Sequence, residues 1–424
     1  MPELDSPLTL PCGIVLPNRL FKSAMTEGLA DLHDNATERH NTLYRRWSEG
    51  GTGTLVTGNV MVDRRFLERP GNVVADENSD EQALRRWATA GTTAGNQLWM
   101  QINHPGRQCQ KVVSAQPFAP SDVPLKLAGM FAKPKAMTED DIEQALNGYA
   151  RVARIAKETG FTGVQVHAAH GYLISEFLSP ITNRRTDAWG GSLENRARFL
   201  LQAIQRVRAT VGSQFPVAVK LNSADFSTGG FSHDESLQVA RWLSEAGIDL
   251  LEISGGTYEK LALMGDADHD SKAQSTLRRE AYFLEYADGI RKVTSVPLAV
   301  TGGFRSHAAM QSALDSGATD LIGLARPLCI EPNVHDLLTG TSHGFTAWEQ
   351  QLRIGPGWLG PGSGNRTLRT LNFSAANQWY YRHIIDLSEG RRPDVNHRNL
   401  LSITLRHTLW ERQFAGNRHF LKKP

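Results

Sequence analysis

The chain contains little cysteine. Its 424 residues include three, Cys12, Cys109 and Cys329. They are odd in number, far apart and never spaced as a Cys-x-x-Cys pair, so they encode no disulfide framework and no zinc or iron–sulfur cage. This usage is typical of a reducing compartment, and we expect an intracellular, cytoplasmic protein.

Long apolar runs and a strong charge of one sign are also missing. No apolar stretch approaches the roughly 20 residues that a membrane-spanning helix needs. Residues 1–10 hold two prolines and two carboxylates where a signal peptide has a basic start and an apolar core. The formal net charge is +2, which gives no electrostatic reason to expect nucleic acid or an anionic membrane as a partner. A small molecule is the expected partner.

The chain does contain short β-branched, apolar runs that alternate with longer amphipathic segments. Strands are predicted at residues 19–24, 54–57, 97–102, 163–167, 216–221, 249–254, 297–301 and 320–324. Helices are predicted at residues 38–48, 81–94, 139–159, 193–211, 234–246, 280–293 and 306–316, with a short one after Pro327. Strict strand–helix alternation over eight units predicts an α/β fold, a (β/α)₈ TIM barrel.

The segment His167-Ala-Ala-His170-Gly-Tyr172 follows the fourth predicted strand. Imidazoles can donate to a substrate oxygen and a phenol can deliver a proton, and the carboxyl ends of barrel strands are where catalytic side chains lie. A lone histidine at a strand end is more often structural, but the pair with Tyr172 favours a catalytic site. A zinc site is not indicated, because a third ligand and the acid of a His-Glu-x-x-His pattern are absent.

Glycines and an arginine follow the last two predicted strands. Gly302 and Gly303 come after the seventh strand, and Gly323 precedes Arg326 at the eighth. Either glycine cluster alone fits a simple turn. Together with Arg326 they favour a phosphate site, since glycines let backbone N–H groups approach an anion and the loops after strands seven and eight bind phosphate in many barrels.

These motifs resemble the old yellow enzyme family of FMN-dependent oxidoreductases. The resemblance covers residues 4–340 and rests on Pro-Asn-Arg-Leu at 17–20, Gln-Ile-Asn-His-Pro-Gly-Arg at 101–107, the run 167–198, Thr-Gly-Gly-Phe-Arg at 301–305 and Gly-Leu-Ala-Arg-Pro at 323–327. It implies a catalytic, FMN-binding barrel at 1–340 and a C-terminal extension at 341–424. Helices predicted at 372–389 and 400–412 would pack on the barrel or on a second subunit, so a homo-oligomer stays open.

The resemblance also implies residue roles. The residues implied to contact the flavin ring are Ser23, Ala24, Met25, Thr26, Gly58, Gln101, His167 and Lys220. Among them, Thr26 would lie near the carbonyl edge, and Gln101 and Lys220 near the pyrimidine edge. The residues implied to bind the phosphate are Gly302, Gly303, Gly323, Ala325 and Arg326. His167 and His170 would hold the substrate oxygen and Tyr172 would donate a proton, with no metal ion.

The activity implied by the resemblance is a ping-pong reduction. NADPH or NADH would supply hydride through FMN to the C=C bond of an activated alkene, such as an α,β-unsaturated carbonyl or a nitroalkene. Two other hypotheses remain: a flavin enzyme of the same fold that oxidises or otherwise processes a cyclic pathway intermediate, and a flavin-free barrel scaffold. Glu27 and Gly28 stand where one branch of the family has a pocket-shaping tyrosine, which leaves the substrate open.

Overall fold

The computed structural model describes residues 1–125, 129–254 and 284–421. Eight parallel strands close into a barrel in chain order, with the last strand paired to the first. They are β1 (Leu20–Lys22), β2 (Thr54–Met61), β3 (Gln97–Asn103), β4 (Gly163–Ala168), β5 (Val217–Asn222), β6 (Leu250–Ser254), β7 (Leu298–Thr301) and β8 (Leu321–Leu324). The predicted (β/α)₈ fold is confirmed.

Helices connect these strands. They are α1 (Glu38–Glu49), α2 (Glu81–Gly91), α3 (Glu139–Glu158), the short α4 (Leu173–Leu178), α5 (Leu193–Val211), α6 (His233–Glu245), α7 (His307–Asp315) and α8 (His335–Leu338). Residues 284–291 are also helical, and the start of the helix predicted at 280–293 lies outside the described residues. A capping box begins α3: Thr138 Oγ1 accepts from Asp141 N at 3.2 Å, and the Asp141 carboxylate accepts from Thr138 N at 2.9 Å.

Inside the barrel, apolar and polar side chains form separate layers. Because side chains alternate along a strand, every second residue points inward. The apolar layer is one buried cluster, closed from below by the N-terminal hairpin Leu8–Thr9 and Val15–Leu16. It consists of Leu10, Leu16, Phe21, Val56, Trp99, Ala218, Leu250, Ala299 and Leu321. The inward residues above it are polar, which places the chemistry at the carboxyl ends of the strands.

The C-terminal extension packs on its own barrel. It forms α9 (Arg366–Ser388) and α10 (Leu400–Leu421), so the second helix is longer than predicted. Trp379 of α9 belongs to the apolar core around the barrel, and Arg46 of α1 donates to the backbone oxygen of Leu387 at 3.2 Å. The division of the chain at residue 340 and a homo-oligomer stay predictions. Across the described ranges, no helix is long and apolar enough to cross a bilayer.

A buried ion pair fixes the far end of α10. Arg418 Nε lies 2.6 Å from Asp34 Oδ1, and the two side chains are 8% and 0% exposed. Removing one partner of a buried pair typically costs about 3 kcal/mol or more. Asp34 keeps a second cation when Arg418 is removed, because Arg64 Nη1 lies 3.2 Å from Asp34 Oδ2. We therefore expect Arg418→Ala to lower the free energy of unfolding by about 2 kcal/mol in urea titrations.

The exposed Arg412 on the same helix is the matched control. Arg412→Ala is expected to stay within about 0.5 kcal/mol of the parent protein. Equal losses in both variants would show that the ion pair is not what stabilises this end of the tail.

Candidate active site

A continuous hydrogen-bonded layer crosses the barrel just below its mouth. Gln101 Nε2 donates to Gln165 Oε1 at 2.7 Å, and Gln165 Nε2 donates to Glu252 Oε2 at 2.8 Å. Lys220 Nζ lies 3.0 Å from the other oxygen of Glu252. All four side chains are buried. Strands β3, β4, β5 and β6 are thereby joined by one polar network.

The network continues through β7 to β1. Thr301 Oγ1 donates to Glu252 Oε1 at 2.6 Å, and Ser23 Oγ lies 2.6 Å from Thr301 Oγ1. Because the Thr301 proton goes to Glu252, Ser23 is the donor in the second bond. Gly323 faces this contact from β8: a Cβ there would lie 1.9 Å from Thr301 Oγ1. The structure thus explains this glycine by the space that Thr301 occupies.

Gln165 and Glu252 are two residues of this layer that the sequence analysis missed as site residues. Both stand inside apolar runs that were interpreted as strands only. The sequence does contain a signal for Gln165. It stands two positions before His167, and strand alternation turns both side chains into the barrel. Glu252 is harder to find, because its place opposite Lys220 depends on the register between β5 and β6.

The predicted catalytic cluster is assembled at the end of β4. The ring of His167 lies 5.2 Å from that of His170 and 4.8 Å from that of Tyr172, between centroids. His167 and Tyr172 are each 3% exposed. Tyr172 immediately precedes α4, whose first turn sets its backbone direction. The two imidazoles and the phenol therefore border the same small volume.

His167 is held as a neutral donor. The backbone N–H of Ala169 donates to His167 Nδ1 at 3.2 Å, so the ring proton belongs on Nε2. Burial, with the positive charge of Lys220 nearby, holds the pKa of His167 well below its usual value. A neutral imidazole with its N–H on Nε2 can stabilise negative charge on a substrate oxygen.

His170 sits in a strained backbone conformation. Its φ is +62°, a left-handed value that residues with a side chain adopt rarely. Its N–H donates to Asn222 Oδ1 at 3.1 Å, its carbonyl accepts from Gln108 Nε2 at 2.7 Å, and its Nε2 lies 2.7 Å from Ser254 Oγ. Burial, assisted by the charge of Lys220, lowers the pKa of His170 to about 3. Strain maintained by this many contacts is common at functional sites.

The residues after β1 have definite partners. Thr26 Oγ1 donates to Glu68 Oε2 at 2.7 Å, a carboxylate that also accepts from Asn59 Nδ2. Met25 Sδ lies 3.4 Å from Cys329 Sγ, and Ala24 packs against the apolar layer. Their flavin contacts stay predictions.

Gly58 lies against Glu27, the residue that replaces the expected aromatic wall. The N–H of Gly58 donates to Glu27 Oε1 at 2.9 Å, and a Cβ at Gly58 would lie 2.1 Å from Glu27 Oε2. The hydroxyl of Tyr44 on α1 donates to the same carboxylate. Burial raises the pKa of Glu27. The Glu27 carboxylate is thus hydrogen-bonded to β2 and to α1. The flavin contact of Gly58 stays a prediction.

The predicted phosphate residues lie on two neighbouring loops. Gly302 and Gly303 after β7 have φ values of 141° and 81°, which favour glycine. Ala325 precedes the 3₁₀ turn Arg326–Cys329 after β8. The Arg326 side chain is 38% exposed and remains accessible to an anion. The strand pair β7–β8 brings these loops together.

The donors at the mouth fit FMN. The carbonyl oxygens and ring nitrogens of a flavin pyrimidine match an amide such as Gln101 and an ammonium such as Lys220. A phosphate needs N–H donors, which left-handed glycines and the guanidinium of Arg326 can provide. Both sets lie at the carboxyl ends of barrel strands, the usual place for ligands in this fold.

Comparisons with known proteins identify the family of this chain. The family described as NADH:flavin oxidoreductase / NADH oxidase matches residues 3–339. The NADH-dependent flavin oxidoreductase iliE of Hypocrea jecorina (strain QM6a) is 37% identical over 354 residues, which cover 78% of this chain and 88% of that protein.

Solved structures give the same result. A 2-naphthoyl-CoA reductase in complex with 2-naphthoyl-CoA superposes with a TM-score of 0.73 at 27% identity, over 80% of this chain and 52% of that chain, so this protein spans about half its length. The old yellow enzyme homologue from Zymomonas mobilis has a TM-score of 0.68 at 26% identity, over 84% of this chain and 98% of that chain. This chain therefore belongs to the NADH:flavin oxidoreductase / NADH oxidase family and is an FMN-dependent, NAD(P)H-using oxidoreductase of the old yellow enzyme type.

Proposed function

We propose that the protein reduces the C=C bond of an electron-poor alkene by a ping-pong mechanism, with NADH as the hydride donor. The observation that carries the proposal is the neutral His167, its N–H on Nε2, with its ring 4.8 Å from that of Tyr172. NADH is favoured over NADPH because the similar Hypocrea jecorina protein is described as NADH-dependent.

The chain's own residues would bind the cofactor at two ends. Gln101 and Lys220 would hold its pyrimidine edge, and Gly302, Gly303 and Arg326 its phosphate. When bound, FMN accepts hydride from the nicotinamide and delivers it to the alkene. The Glu252 carboxylate holds the Lys220 side chain in place through the 3.0 Å contact. The positive charge of Lys220 would then lie beside the ring where negative charge develops.

His167 would bind the oxygen that activates the alkene. Negative charge grows on that oxygen as the alkene is reduced, and a preplaced N–H donor is typically worth about 3 kcal/mol in the transition state. A cationic imidazole would give up its proton more readily, whereas the low pKa keeps this ring neutral. His170, fixed by Asn222 and Ser254, would form the second side of the oxygen site.

Tyr172 would complete the reaction by protonating the α-carbon. The phenol of Tyr172 carries an O–H that can donate a proton, so it can act as a general acid. Its ring stands edge-on to His167 at an interplanar angle of 80°. The proton source and the oxygen site therefore face one substrate volume.

The proposal can be tested by anaerobic stopped-flow spectroscopy. NADH and NADPH are mixed separately with the purified protein, and the bleached sample is then mixed with a panel of enones and nitroalkenes. We expect NADH to bleach the flavin bands faster than NADPH, and at least one alkene to restore them. A protein that is bleached by NADH but reoxidised by no alkene of the panel would contradict alkene reduction.

The alternative of a cyclic substrate has one supporting observation. The superposed 2-naphthoyl-CoA reductase acts on a ring substrate according to its description, although this chain spans 52% of it. The panel should therefore include cyclic enones beside open-chain ones. Restoration of the bands by cyclic compounds alone would narrow alkene reduction to ring substrates. Bleaching of the oxidised flavin by a cyclic compound without nicotinamide would favour the alternative, oxidation of a cyclic intermediate.

A further inference from the structure

The C-terminal extension returns to the loops that carry the predicted phosphate site. The N–H of Phe345 donates to the carbonyl of Arg305 at 2.7 Å, and the N–H of His307 donates to that of His343 at 3.1 Å. Ser306 and Gly344 form an antiparallel bridge between these contacts. The chain beyond residue 340 is thereby fixed beside the loop after β7.

Glu349, in this part of the tail, contacts two arginines of the barrel loops. Its Oε1 accepts from Arg305 Nη2 at 2.6 Å and lies 3.8 Å from Arg326 Nη1. Its Oε2 accepts from the hydroxyl of Tyr380 on α9 at 2.8 Å. One carboxylate therefore contacts the loop after β7, the loop after β8 and the tail helix.

The cluster around Glu349 contains one ionised carboxylate and two guanidinium groups. Burial alone would raise the pKa of Glu349, but Arg326 and Arg305 hold it below its usual value, so the carboxylate is ionised. Arg305 is 14% exposed and also donates to the carbonyl of Phe304 at 2.7 Å, so its guanidinium is fixed on two sides. Arg326 is 38% exposed and keeps N–H groups available to an external anion.

We propose that Glu349 is a positioning residue for the FMN phosphate. It holds Arg305 and Arg326 side by side against their mutual repulsion, and Tyr380 fixes Glu349 in turn. The tail is then part of the cofactor site, although the family match ends at residue 339. This inference rests on the proposed phosphate role of Arg326.

The test measures flavin retention rather than turnover. Holoenzyme and variants are loaded with FMN or with riboflavin, which lacks the phosphate, and flavin release after dilution is followed by fluorescence. We expect Glu349→Ala to release FMN at least about 10-fold faster, since charge-assisted hydrogen bonds are lost. Riboflavin release should change by less than about twofold, because the effect acts through the phosphate.

Three further variants keep the test decisive. Tyr380→Phe leaves both arginines intact and should accelerate FMN release by a smaller factor in the same direction. Glu389→Ala, which removes a carboxylate paired with Arg391 at the end of α9, should behave like the parent protein. Arg326→Ala should accelerate FMN release and reports on the phosphate site itself.

Each outcome decides the proposal. Fast FMN release from Arg326→Ala but not from Glu349→Ala would overturn the role of Glu349 and leave the phosphate site standing. Unchanged release from both would overturn both. Equal acceleration for FMN and riboflavin would show that Glu349 only supports the fold. Should Glu349→Ala fail to fold, Glu349→Gln and Tyr380→Phe carry the same comparison.

Discussion

Replacing His167 by alanine is expected to slow reduction of an enone by about 100- to 1,000-fold, while reduction of the bound cofactor by NADH changes by less than about threefold. A donor to developing oxyanion charge contributes mainly in the transition state, and removing one typically costs two to three orders of magnitude, about 10²–10³. Anaerobic stopped-flow spectroscopy separates the two half-reactions. The double variant with His170→Ala should lose at least as much in the enone step.

Two comparisons make this result specific. Tyr172→Phe removes a proton source and keeps the ring, so it too should slow the enone step more than the NADH step. The pKa of His170 is about 3 because burial disfavours its charged form, so neither imidazole should produce a histidine titration between about pH 5 and pH 8. Equal losses in both half-reactions, or a rate that follows an ionisation near pH 6.5, would contradict a neutral donor pair.

The sequence was sufficient for most of the barrel, because strand alternation and helix caps are local signals. β2 shows the limit. It was predicted to end at Thr57, but it continues to Met61. The environment of Gly58 is not local: Glu27 accepts its N–H and fills the space beside its Cα. The register of β2 against β3 also shifts between Val56 and Asn59.

The candidate site likewise contains a cluster that a local sequence pattern predicts and contacts that no local pattern predicts. His167, His170 and Tyr172 fall within six residues, so one strand end brings them together and the sequence could predict the cluster. The Gln165–Glu252 bond joins residues 87 positions apart, and the Arg305–Glu349 bond spans 44. Such contacts depend on strand register or on the return of the tail, which no local pattern specifies.

The tail helices were predicted less well for a physical reason. The last nine residues of α10 mix exposed polar positions with the buried Ala415 and Arg418. An arginine at a buried position breaks the apolar periodicity on which helix prediction relies. It is tolerated because Asp34 and the carbonyl of Arg64, both far away in sequence, accept its hydrogen bonds.

Removing Glu252 is expected to have the largest effect on stability. The pair Lys220–Glu252 lies inside the barrel, with side chains 4% and 0% exposed. Glu252→Ala leaves the ammonium of Lys220 in a dry site and deprives Gln165 and Thr301 of their acceptor. Breaking such a pair typically costs about 3–5 kcal/mol. We expect a loss of that size in the free energy of unfolding, measured by urea titration of the FMN-loaded protein.

The exposed Glu245 on α6 supplies the control, since Glu245→Ala should stay within about 0.5 kcal/mol of the parent. The stricter comparison is the double variant Glu252→Leu with Lys220→Met. Replacing both charges by apolar groups is often close to neutral, so the double variant should recover most of the stability that Glu252→Ala loses. If it recovers none, the uncompensated ammonium is not the cause of the loss.

If the double variant recovers the stability, the result would also explain why the buried pair Lys220–Glu252 is present despite the desolvation cost of two buried charges. If an apolar pair folds nearly as well, stability does not require Lys220, and its charge serves the cofactor. Glu252 would then be the carboxylate that balances the charge of Lys220 in the cofactor site, with Gln165 and Thr301 fixing its two oxygens. On this view the polar layer is selected for the redox chemistry above it, and the apolar layer beneath it carries the barrel's stability.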